Sequence, residues 1–301
     1  MKRIVPLLLC LLCLLLSGCG KKQTESNAAE PLPTQKVNSL LYYNGSTTLR
    51  FASNEDGKWV WSDGEKFPLD DSTVRQIVDR LPEILAAEPK TDVTDLSACG
   101  LAEPTCYLTV GSDDETRTLY FGNRATSGSW YMRVADSSGV YQIPDDFKQL
   151  LDQDIYDMAV LPTLPELTED MVTFIGVSRS EEENTYLLHA DGAWKSNGKD
   201  VADMAKRILS ELESMELERC VDYFPADGVS ELCGLTEGAT KITLKYVNSV
   251  GSESELLLTV GGLMETEEGY YLTVGESDAI YCMRQSPLRT LLSLLPKYED
   301  A

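Results

Sequence analysis

Cys19 is the residue whose surroundings indicate a definite chemical reaction. It ends the tetrapeptide Leu16-Ser17-Gly18-Cys19, which follows a basic start and the apolar run from Ile4 to Leu16. A basic start, a short apolar run and small residues before a cysteine are typical of a lipobox, in which the thiol is acylated and the preceding segment is removed. The sequence therefore predicts a signal peptide over residues 1–18 and a lipidated Cys19 at the start of the mature chain.

An uncleaved membrane anchor and a signal cleaved elsewhere are the two alternatives to this interpretation. The apolar run is shorter than the roughly 20 residues that cross the hydrocarbon core, and polar Gly20-Lys21-Lys22-Gln23 follow at once. Cleavage elsewhere would leave Cys19 without a role. We therefore expect the protein to be lipid-anchored at the extracytoplasmic face of the cell membrane, since two or more acyl chains anchor a protein stably.

The rest of the sequence contains no pattern that predicts catalysis. The only histidine, His189, lies beside the turn Ala190-Asp191-Gly192, whereas a catalytic base needs a nucleophile and an orienting group. Nucleophile elbows, phosphate-binding glycine loops, His-Glu-x-x-His helices and complete EF-hand loops are absent from the sequence. Carboxylate pairs such as Asp145-Asp146 are expected by chance among 49 acidic residues. We predict no catalytic residue, no metal ligand and no cofactor.

The charge of the chain excludes one class of partner. The sequence holds 49 acidic residues against 26 lysines and arginines, a formal net charge of −23. Such a surface repels nucleic acid and anionic lipid headgroups. We therefore expect no nucleic-acid partner, and we expect the folded part to stand away from the membrane that holds it.

Cysteine usage leaves the state of the thiols open. Cys10 and Cys13 lie in the predicted signal and Cys19 in the lipobox. An extracytoplasmic setting permits disulfides between cysteines that are close in sequence, while small buried thiols explain isolated cysteines equally well. The candidate bridges are Cys99 with Cys106 and Cys220 with Cys233; the pairing is undetermined for Cys99, Cys106, Cys220, Cys233 and Cys282.

An internal duplication divides the chain. Asp56-Gly57-Lys58-Trp59 has a counterpart in Asp191-Gly192-Ala193-Trp194, and Cys99-Gly100-Leu101-Ala102-Glu103 has one in Cys233-Gly234-Leu235-Thr236-Glu237. Landmarks that recur in one order are the signature of a repeat architecture. We predict a flexible tether over 19–36, which is too polar and proline-rich to form a core, and two repeats over 37–151 and 167–296, joined by a linker over 152–166.

Each predicted repeat has the same series of elements. Alternating apolar residues around Leu40 and Phe51 predict two strands joined by a hairpin at Asn44-Gly45. A strand with Trp59 and an amphipathic helix follow; the helix is capped by Asp70 or Asp71, and we expect Pro82 to kink or end it. A four-strand meander and a short terminal helix complete the repeat. The fold class is therefore predicted as α+β, with two tandem repeats of mainly antiparallel sheet.

Aromatic residues in the meanders are the candidates for a binding surface. Alternation along a strand points some of them inward and leaves others exposed, so they either fill the core or form a docking surface for protein or glycan. The candidate docking aromatics are Trp130, Tyr131, Tyr141, Tyr270, Tyr271 and Tyr281.

These landmarks resemble the bacterial family called domain of unknown function 4340 (DUF4340). The first half carries Gly57-Lys58-Trp59 and Gly100-Leu101-Ala102-Glu103-Pro104; the second carries Gly192-Ala193-Trp194 and Gly234-Leu235-Thr236-Glu237-Gly238. Gly238 stands in place of Pro104, and cysteines stand where an aromatic often precedes Gly-Leu. The motifs are structural turns and core aromatics, so the resemblance implies no active site.

The resemblance implies a setting for the protein. Members of the family look like membrane-anchored extracytoplasmic proteins that are encoded beside an ABC-type export permease, its ATPase and gliding-motility-like proteins. We therefore expect a non-catalytic binding or scaffold component, accessory to such an export complex or to other envelope proteins. The alternative is an extracytoplasmic enzyme or glycan-binding protein that acts on cell-envelope polymers. The ligand, the oligomeric state and the number of membranes in the envelope are undetermined.

Overall fold

The computed structural model describes residues 37–295, except positions 65, 91, 92, 94, 114, 182, 183 and 266–268. The predicted signal peptide (1–18) and tether (19–36), with the lipobox residues Leu16, Ser17, Gly18 and Cys19, lie outside the described residues. Within the described range, no helix combines the length and the apolar character needed to span a membrane.

A seven-stranded antiparallel sheet forms the first half of the described chain. Its strand order is β3-β2-β1-β4-β5-β6-β7, so the β1–β2–β3 meander and the β4–β7 meander join along β1 and β4. The strands are β1 (Val37–Tyr43), β2 (Thr48–Ser53), β3 (Trp59–Trp61), β4 (Cys106–Ser112), β5 (Thr116–Arg124), β6 (Trp130–Val134) and β7 (Val140–Ile143).

The predicted hairpin at Asn44-Gly45 is confirmed. The side-chain Oδ1 of Asn44 accepts hydrogen bonds from the backbone amides of Ser46 and Thr47, each at 3.0 Å, and Gly45 has the positive φ of 103° that favours glycine. The turn sets the register that pairs Leu40 with Phe51, and both side chains are buried. Period-two alternation therefore places one face of each strand in the core.

Helices cover the inner face of the first sheet. They are α1 (Ser72–Leu85), α2 (Asp145–Leu150) and a 3₁₀ helix (Ile155–Met158). Asp71 precedes α1 as predicted, but its carboxylate accepts from the backbone amide of Trp59 and from Arg75, and it makes no capping bond to the helix. Asp71 therefore links the helix start to β3.

Pro82 lies inside α1, so of the two expected effects, a kink or the end of the helix, the second is wrong. The helix continues to Leu85, and the amide of Ala86 donates to the carbonyl of Pro82 at 3.0 Å. Proline removes one hydrogen bond to the preceding turn. Burial of Ile84 and Leu85 holds the final turn in place after this loss.

A nine-stranded antiparallel sheet forms the second half, in the order β11-β10-β9-β8-β13-β14-β15-β16-β12. The helices of this half are α3 (Ala202–Leu212), α4 (Val229–Leu232) and α5 (Gln285–Leu292). The strands are β8 (Val172–Ser178), β9 (Asn184–Ala190), β10 (Ala193–Ser196), β11 (Lys199–Asp200), β12 (Leu217–Asp222), β13 (Thr240–Val247), β14 (Glu253–Leu263), β15 (Gly269–Val274) and β16 (Ile280–Arg284). The predicted α+β class with mainly antiparallel sheet is confirmed.

Strand β12 is an element that the sequence pattern does not predict. It returns to the far edge of the second sheet and pairs with β16. At the matching edge of the first sheet, the backbone amide of Lys90 donates to the carbonyl of Val140 at 2.7 Å, and the described residues of that segment form no strand. The described parts of the two halves therefore differ at this edge.

Two hydrophobic cores lie between the sheets and their helices, and three residues pack against both of them. Tyr156, Ala159 and Tyr223 contact the buried clusters of the two halves. The ring of Phe67 meets that of Tyr223 edge to face at a centroid distance of 5.3 Å. These contacts define a junction between the halves, formed by the 3₁₀ helix and the end of β12.

Candidate functional site

A row of aromatic side chains crosses the outer face of the first sheet, the face that points away from the helices. Tyr43 on β1 pairs with Tyr107 on β4, Tyr107 pairs with Tyr120 on β5, and Tyr120 pairs with Arg133 on β6. Directly paired residues of antiparallel strands point to the same face. We call these four residues the tyrosine row.

The ring centroids of Tyr43 and Tyr107 are 5.7 Å apart, and those of Tyr107 and Tyr120 are 6.4 Å apart. The guanidinium of Arg133 lies over the Tyr120 ring, 4.7 Å from its centroid. This spacing follows from the sheet, because neighbouring strands lie about 4.8 Å apart. All four side chains are half-buried.

Only some polar atoms of the tyrosine row form hydrogen bonds with described residues. The hydroxyl of Tyr43 donates to the carbonyl of Gly45 at 2.8 Å, and Nε of Arg133 donates to the carbonyl of Leu101 at 3.3 Å. The hydroxyls of Tyr107 and Tyr120 make no hydrogen bond to any residue that the structure describes. They remain available as donors and acceptors to a ligand.

The strand positions around the tyrosine row carry no acidic residue. The register that defines the row also places neighbouring positions of β1, β2, β4 and β5 on the outer face. Together with the row they form what we call the outer face; these neighbours are Ser39, Leu41, Thr48, Arg50, Ala52, Thr109, Gly111, Thr116 and Thr118. The chain has 49 acidic residues, and none of them occupies these strand positions.

The second sheet supplies an internal comparison for the tyrosine row. The positions that match it in strand order and register are Ser178, Lys241, Thr259 and Thr273. None of these is aromatic, although the strands pair in the same way. A tyrosine row is therefore not needed at these positions, although the second sheet carries an aromatic pair elsewhere on its outer face: the rings of Phe174 and Tyr186 stack at a centroid distance of 6.1 Å.

A loop covers one end of each outer face and is held by a backbone contact. The carbonyl of Cys99 accepts from the amide of Asn123 at 2.7 Å, and that of Cys233 accepts from Gly262 at 2.8 Å. A side chain at the neighbouring glycine, Gly122 or Gly261, would collide with the cysteine carbonyl. The predicted Gly-Leu turns thus lie against the sheets and border the row.

Three of the six candidate docking aromatics lie in the core. Tyr141, Tyr270 and Tyr281 are 1%, 3% and 4% exposed. Their burial removes them from any surface, which corrects the expectation of docking at these positions. The reason is physical, because they occupy the strand faces that the helices cover.

The other three candidates are half-buried and are held by their own halves. Trp130 donates from Nε1 to Asp145 at 2.8 Å, and the ammonium of Lys148 lies 5.2 Å from its ring centroid. Tyr131 packs against a small buried cluster formed by Cys99, Leu101 and Val140. Burial raises the pKa of Tyr271. Of the six, Trp130, Tyr131 and Tyr271 retain surface, and Tyr131 lies beside the tyrosine row, because it packs against the same buried cluster as Tyr120.

Sequence reasoning missed Tyr43, Tyr107 and Tyr120. Tyr43 ends β1, Tyr107 lies near the start of β4 and Tyr120 lies in the middle of β5, and a single tyrosine at such a position carries no distinctive pattern. A search for aromatics on the polar phase of the strand alternation would have selected them, because each flanks a buried partner: Tyr42, Leu108 and Leu119. Their alignment across three strands required the register.

The five cysteines of the described chain are buried thiols, which agrees with the second of the two alternatives left open by the sequence. Burial raises the pKa of Cys106 and of Cys220 to about 11 in each case. A raised thiol pKa suppresses the thiolate, so these side chains are poor nucleophiles. They act as small apolar residues of the core.

Candidate catalytic and metal-binding groups are sparse among the described residues. Among the described residues, no group of three or more His, Cys, Asp and Glu is placed to hold a metal ion. His189 is exposed, with its ring 5.2 Å from that of Trp194. A cavity of about 440 Å³ lies between the linker and the end of α3, and its lining includes Glu166, Glu213 and Glu216.

Comparisons with known proteins identify a family. No curated protein and no solved structure matches this chain. The model of the family described as "Domain of unknown function (DUF4340)" matches residues 59–232, from β3 of the first sheet to α4 of the second. Since this match covers more than half of the chain, the protein belongs to the DUF4340 family.

Proposed function

We propose that this protein is a non-catalytic binding component of the cell envelope and that the outer face of the first sheet is its binding surface. The observation that carries the proposal is the tyrosine row, which is half-exposed in the first sheet and replaced by Ser178, Lys241, Thr259 and Thr273 in the second. Tyrosine presents apolar area and a polar group at a low cost in side-chain entropy, which suits a binding surface.

The proposed setting is the extracytoplasmic face of the membrane. The lipobox ending at Cys19 supports a lipid anchor, and the polar tether after it supports a folded part held at a distance from the bilayer. The resemblance to DUF4340 proteins supports a role as an accessory to an ABC-type permease and ATPase or to other envelope proteins. In this proposal the lipid provides the location and the outer face provides the binding.

Site-specific photocrosslinking in native membranes tests the proposal. A photoreactive phenylalanine replaces Tyr107 in one variant and Lys241, its counterpart on the second sheet, in the other. We expect adducts with an envelope component from position 107 and few from position 241. A Cys19→Ala variant, which lacks the lipidation site, should lose the adduct because the protein is released from its membrane.

Equal adducts from positions 107 and 241, or none from either, would contradict the assignment of the outer face. Mass spectrometry of the position-107 adduct separates its possible sources. Recovery of the permease or its ATPase would support the accessory role, whereas recovery of other envelope material would support binding without that role.

An enzyme that acts on envelope polymers is the alternative function, and the cavity lined by Glu166, Glu213 and Glu216 is the observation that favours it. Paired carboxylates perform acid–base chemistry on glycosidic bonds. A Glu166→Gln and Glu213→Gln double variant would abolish hydrolysis of envelope polysaccharide if this function were correct. We expect purified wild-type protein to release no reducing ends in the same assay.

We further propose that residues 37–151 and 167–296 are tandem copies joined by the linker 152–166. The recurring Trp59 and Trp194, both buried, and the matching loop contacts of Cys99 and Cys233 support this division. Separate expression of the two segments tests it. We expect each segment to unfold cooperatively on its own. If neither segment folds without the other, the two form one folding unit.

A further inference from the structure

We propose that the tyrosine row binds a linear, uncharged polysaccharide, with successive sugar rings lying along Tyr43, Tyr107 and Tyr120. This inference rests on the proposed function, because it names the ligand class of the same outer face. It is argued from the spacing of the row, its free polar atoms, its charge and the residues around it.

The spacing of the row matches a chain of sugars. The centroid distances of 5.7 and 6.4 Å repeat across the strands because each tyrosine stands on a different strand. A β-linked pyranose chain is extended and advances by a similar length per sugar. A polymer that crosses the strands would therefore meet one aromatic ring per sugar. Because neighbouring rings are tilted by 42° and 62°, its C–H bonds would contact a ring face at one tyrosine and a ring edge at the next.

The polar groups complement hydroxyls. Tyr107 and Tyr120 carry hydroxyls without a partner among the described residues, and each can both donate and accept. Beside them the hydroxyls of Thr109 and Thr118 share one hydrogen bond of 3.0 Å on the same outer face, which leaves one of their two O–H groups to donate elsewhere. Arg133 uses Nε for the Leu101 carbonyl, which leaves its terminal N–H groups to donate to sugar oxygens.

Charge selects against other polymers. The formal net charge of −23 repels nucleic acids and anionic polysaccharides at long range. A strongly basic partner would find no carboxylate on the strand positions of the outer face, where Arg50 and Arg133 are the charged residues. Arg50 is already paired with Asp63 at 3.1 Å. An uncharged ligand is not repelled by the net negative charge and needs no carboxylate as a partner.

The residues around the row favour a polysaccharide over a protein. Tyrosine and arginine are common in the energetic centres of protein interfaces, but serine and threonine are under-represented there. Here the row is surrounded by Ser39, Thr48, Thr109, Thr116 and Thr118. Short hydroxyl side chains beside aromatic rings suit a ligand that presents C–H faces and hydroxyl edges.

Isothermal titration of the full-length lipidated protein in detergent micelles tests the inference. The probes are cellohexaose and chitohexaose, which are β-linked and extended, and maltohexaose, whose α linkages curve the chain. We expect binding of at least one β-linked hexamer and no binding of maltohexaose, because a curved chain does not stay extended across three neighbouring strands.

Two variants replace a tyrosine of the row with threonine, the residue that the second sheet carries at position 259. Tyr107→Thr and Tyr120→Thr remove a ring while keeping a hydroxyl, and each is expected to weaken binding about tenfold, which corresponds to ~1.4 kcal/mol. The matched controls are Lys241→Thr and Thr259→Ser on the second sheet, which should bind as the wild type does. Thermal unfolding confirms that all four variants are folded, and a single Tyr107→Phe change keeps the ring if a threonine variant fails to fold.

The polysaccharide inference and the proposed function fail under different outcomes. Absence of binding by both β-linked hexamers, or binding that the row variants leave unchanged, would overturn the polysaccharide inference. If binding is absent while the photoreactive residue at position 107 still captures an envelope protein, the outer face stands as the binding surface and its ligand is protein. If neither the titration nor the crosslinking responds to the row, the proposed function fails as well.

Discussion

The hydroxyl of Tyr156 donates a hydrogen bond of 2.8 Å to Oδ1 of Asp222, and this bond joins the two halves of the protein. Tyr156 belongs to the 3₁₀ helix that follows the first sheet, and Asp222 ends β12 of the second. The same carboxylate oxygen also accepts from the backbone amide of Phe224 at 3.1 Å. The linker and the edge strand are therefore connected by a charge-assisted bond within the junction.

Removal of this hydroxyl should destabilise the protein. For Tyr156→Phe we expect a loss of about 1–3 kcal/mol in the free energy of unfolding, the range for a hydrogen bond to a charged group. Urea denaturation measures it. Tyr107→Phe is the control, because its hydroxyl bonds to none of the described residues, and its stability should stay within about 0.5 kcal/mol of wild type. An equal loss in both variants would show that the junction bond contributes nothing specific.

Stability should fall at alkaline pH. Burial raises the pKa of Tyr281 from 10.0 to about 12, and burial with the nearby Asp222 raises that of Tyr156. Burial also raises the pKa of Tyr42. Because these folded-state values exceed the unfolded ones, the contribution is complete below pH 10.0 and is lost as pH rises through the folded values. The buried thiols of Cys106 and Cys220 act in the same direction.

Urea denaturation over a series of pH values from neutral to strongly alkaline measures this dependence. Tyr281→Phe should flatten the alkaline decline, because one titrating group with a raised pKa is removed. A decline that is identical in wild type and in Tyr281→Phe would assign the effect to other groups.

The contact between each covering loop and its sheet should depend on glycine. Gly122→Ala places a methyl group against the carbonyl of Cys99, and Gly261→Ala does the same at Cys233. We expect each to lower the free energy of unfolding by more than about 2 kcal/mol, since backbone must move to relieve the clash. Gly238→Ala is the matched control, because its nearest neighbour would be Thr236 Oγ1 at 3.9 Å. If Gly122→Ala has the same free energy of unfolding as the wild type, the loop moves at little energetic cost.

The cysteines of the described chain should be unreactive in the native state. Their burial predicts slow modification by a thiol reagent at neutral pH and rapid modification in denaturant. A Leu232→Cys variant supplies the positive control, because that position is 87% exposed. Protection that disappears with reductant, rather than with denaturant, would point to disulfides and contradict this expectation.

The sequence predicted the local elements of the fold well. Strands β1, β2 and β4–β7 were identified from alternation and turn residues, and α1 from its apolar stripe. These features follow from short-range periodicity, which a single sequence displays directly. Strand β12 was missed because its Leu217–Asp222 segment mixes charged and apolar residues and becomes a strand by pairing with the distant β16.

The site was harder to predict than the fold. The aromatics chosen from the sequence included Tyr141, Tyr270 and Tyr281, which are buried, whereas Tyr43, Tyr107 and Tyr120 were overlooked. A tyrosine is equally suited to a core and to a surface, so its type does not decide its exposure. The phase of the strand and the element that covers each face decide it.

The family, the antiparallel α+β class, the hairpin at Asn44-Gly45 and the series of elements along the first half are readable from the amino-acid sequence, because turn chemistry and side-chain period are local properties. Only the tertiary structure decided which tyrosines share a face and how Tyr156 meets Asp222. Both depend on register between segments far apart in the chain, and register is set by the packing of whole sheets against their helices. The tyrosine row exists because that packing aligns three strands whose residues are unremarkable one at a time.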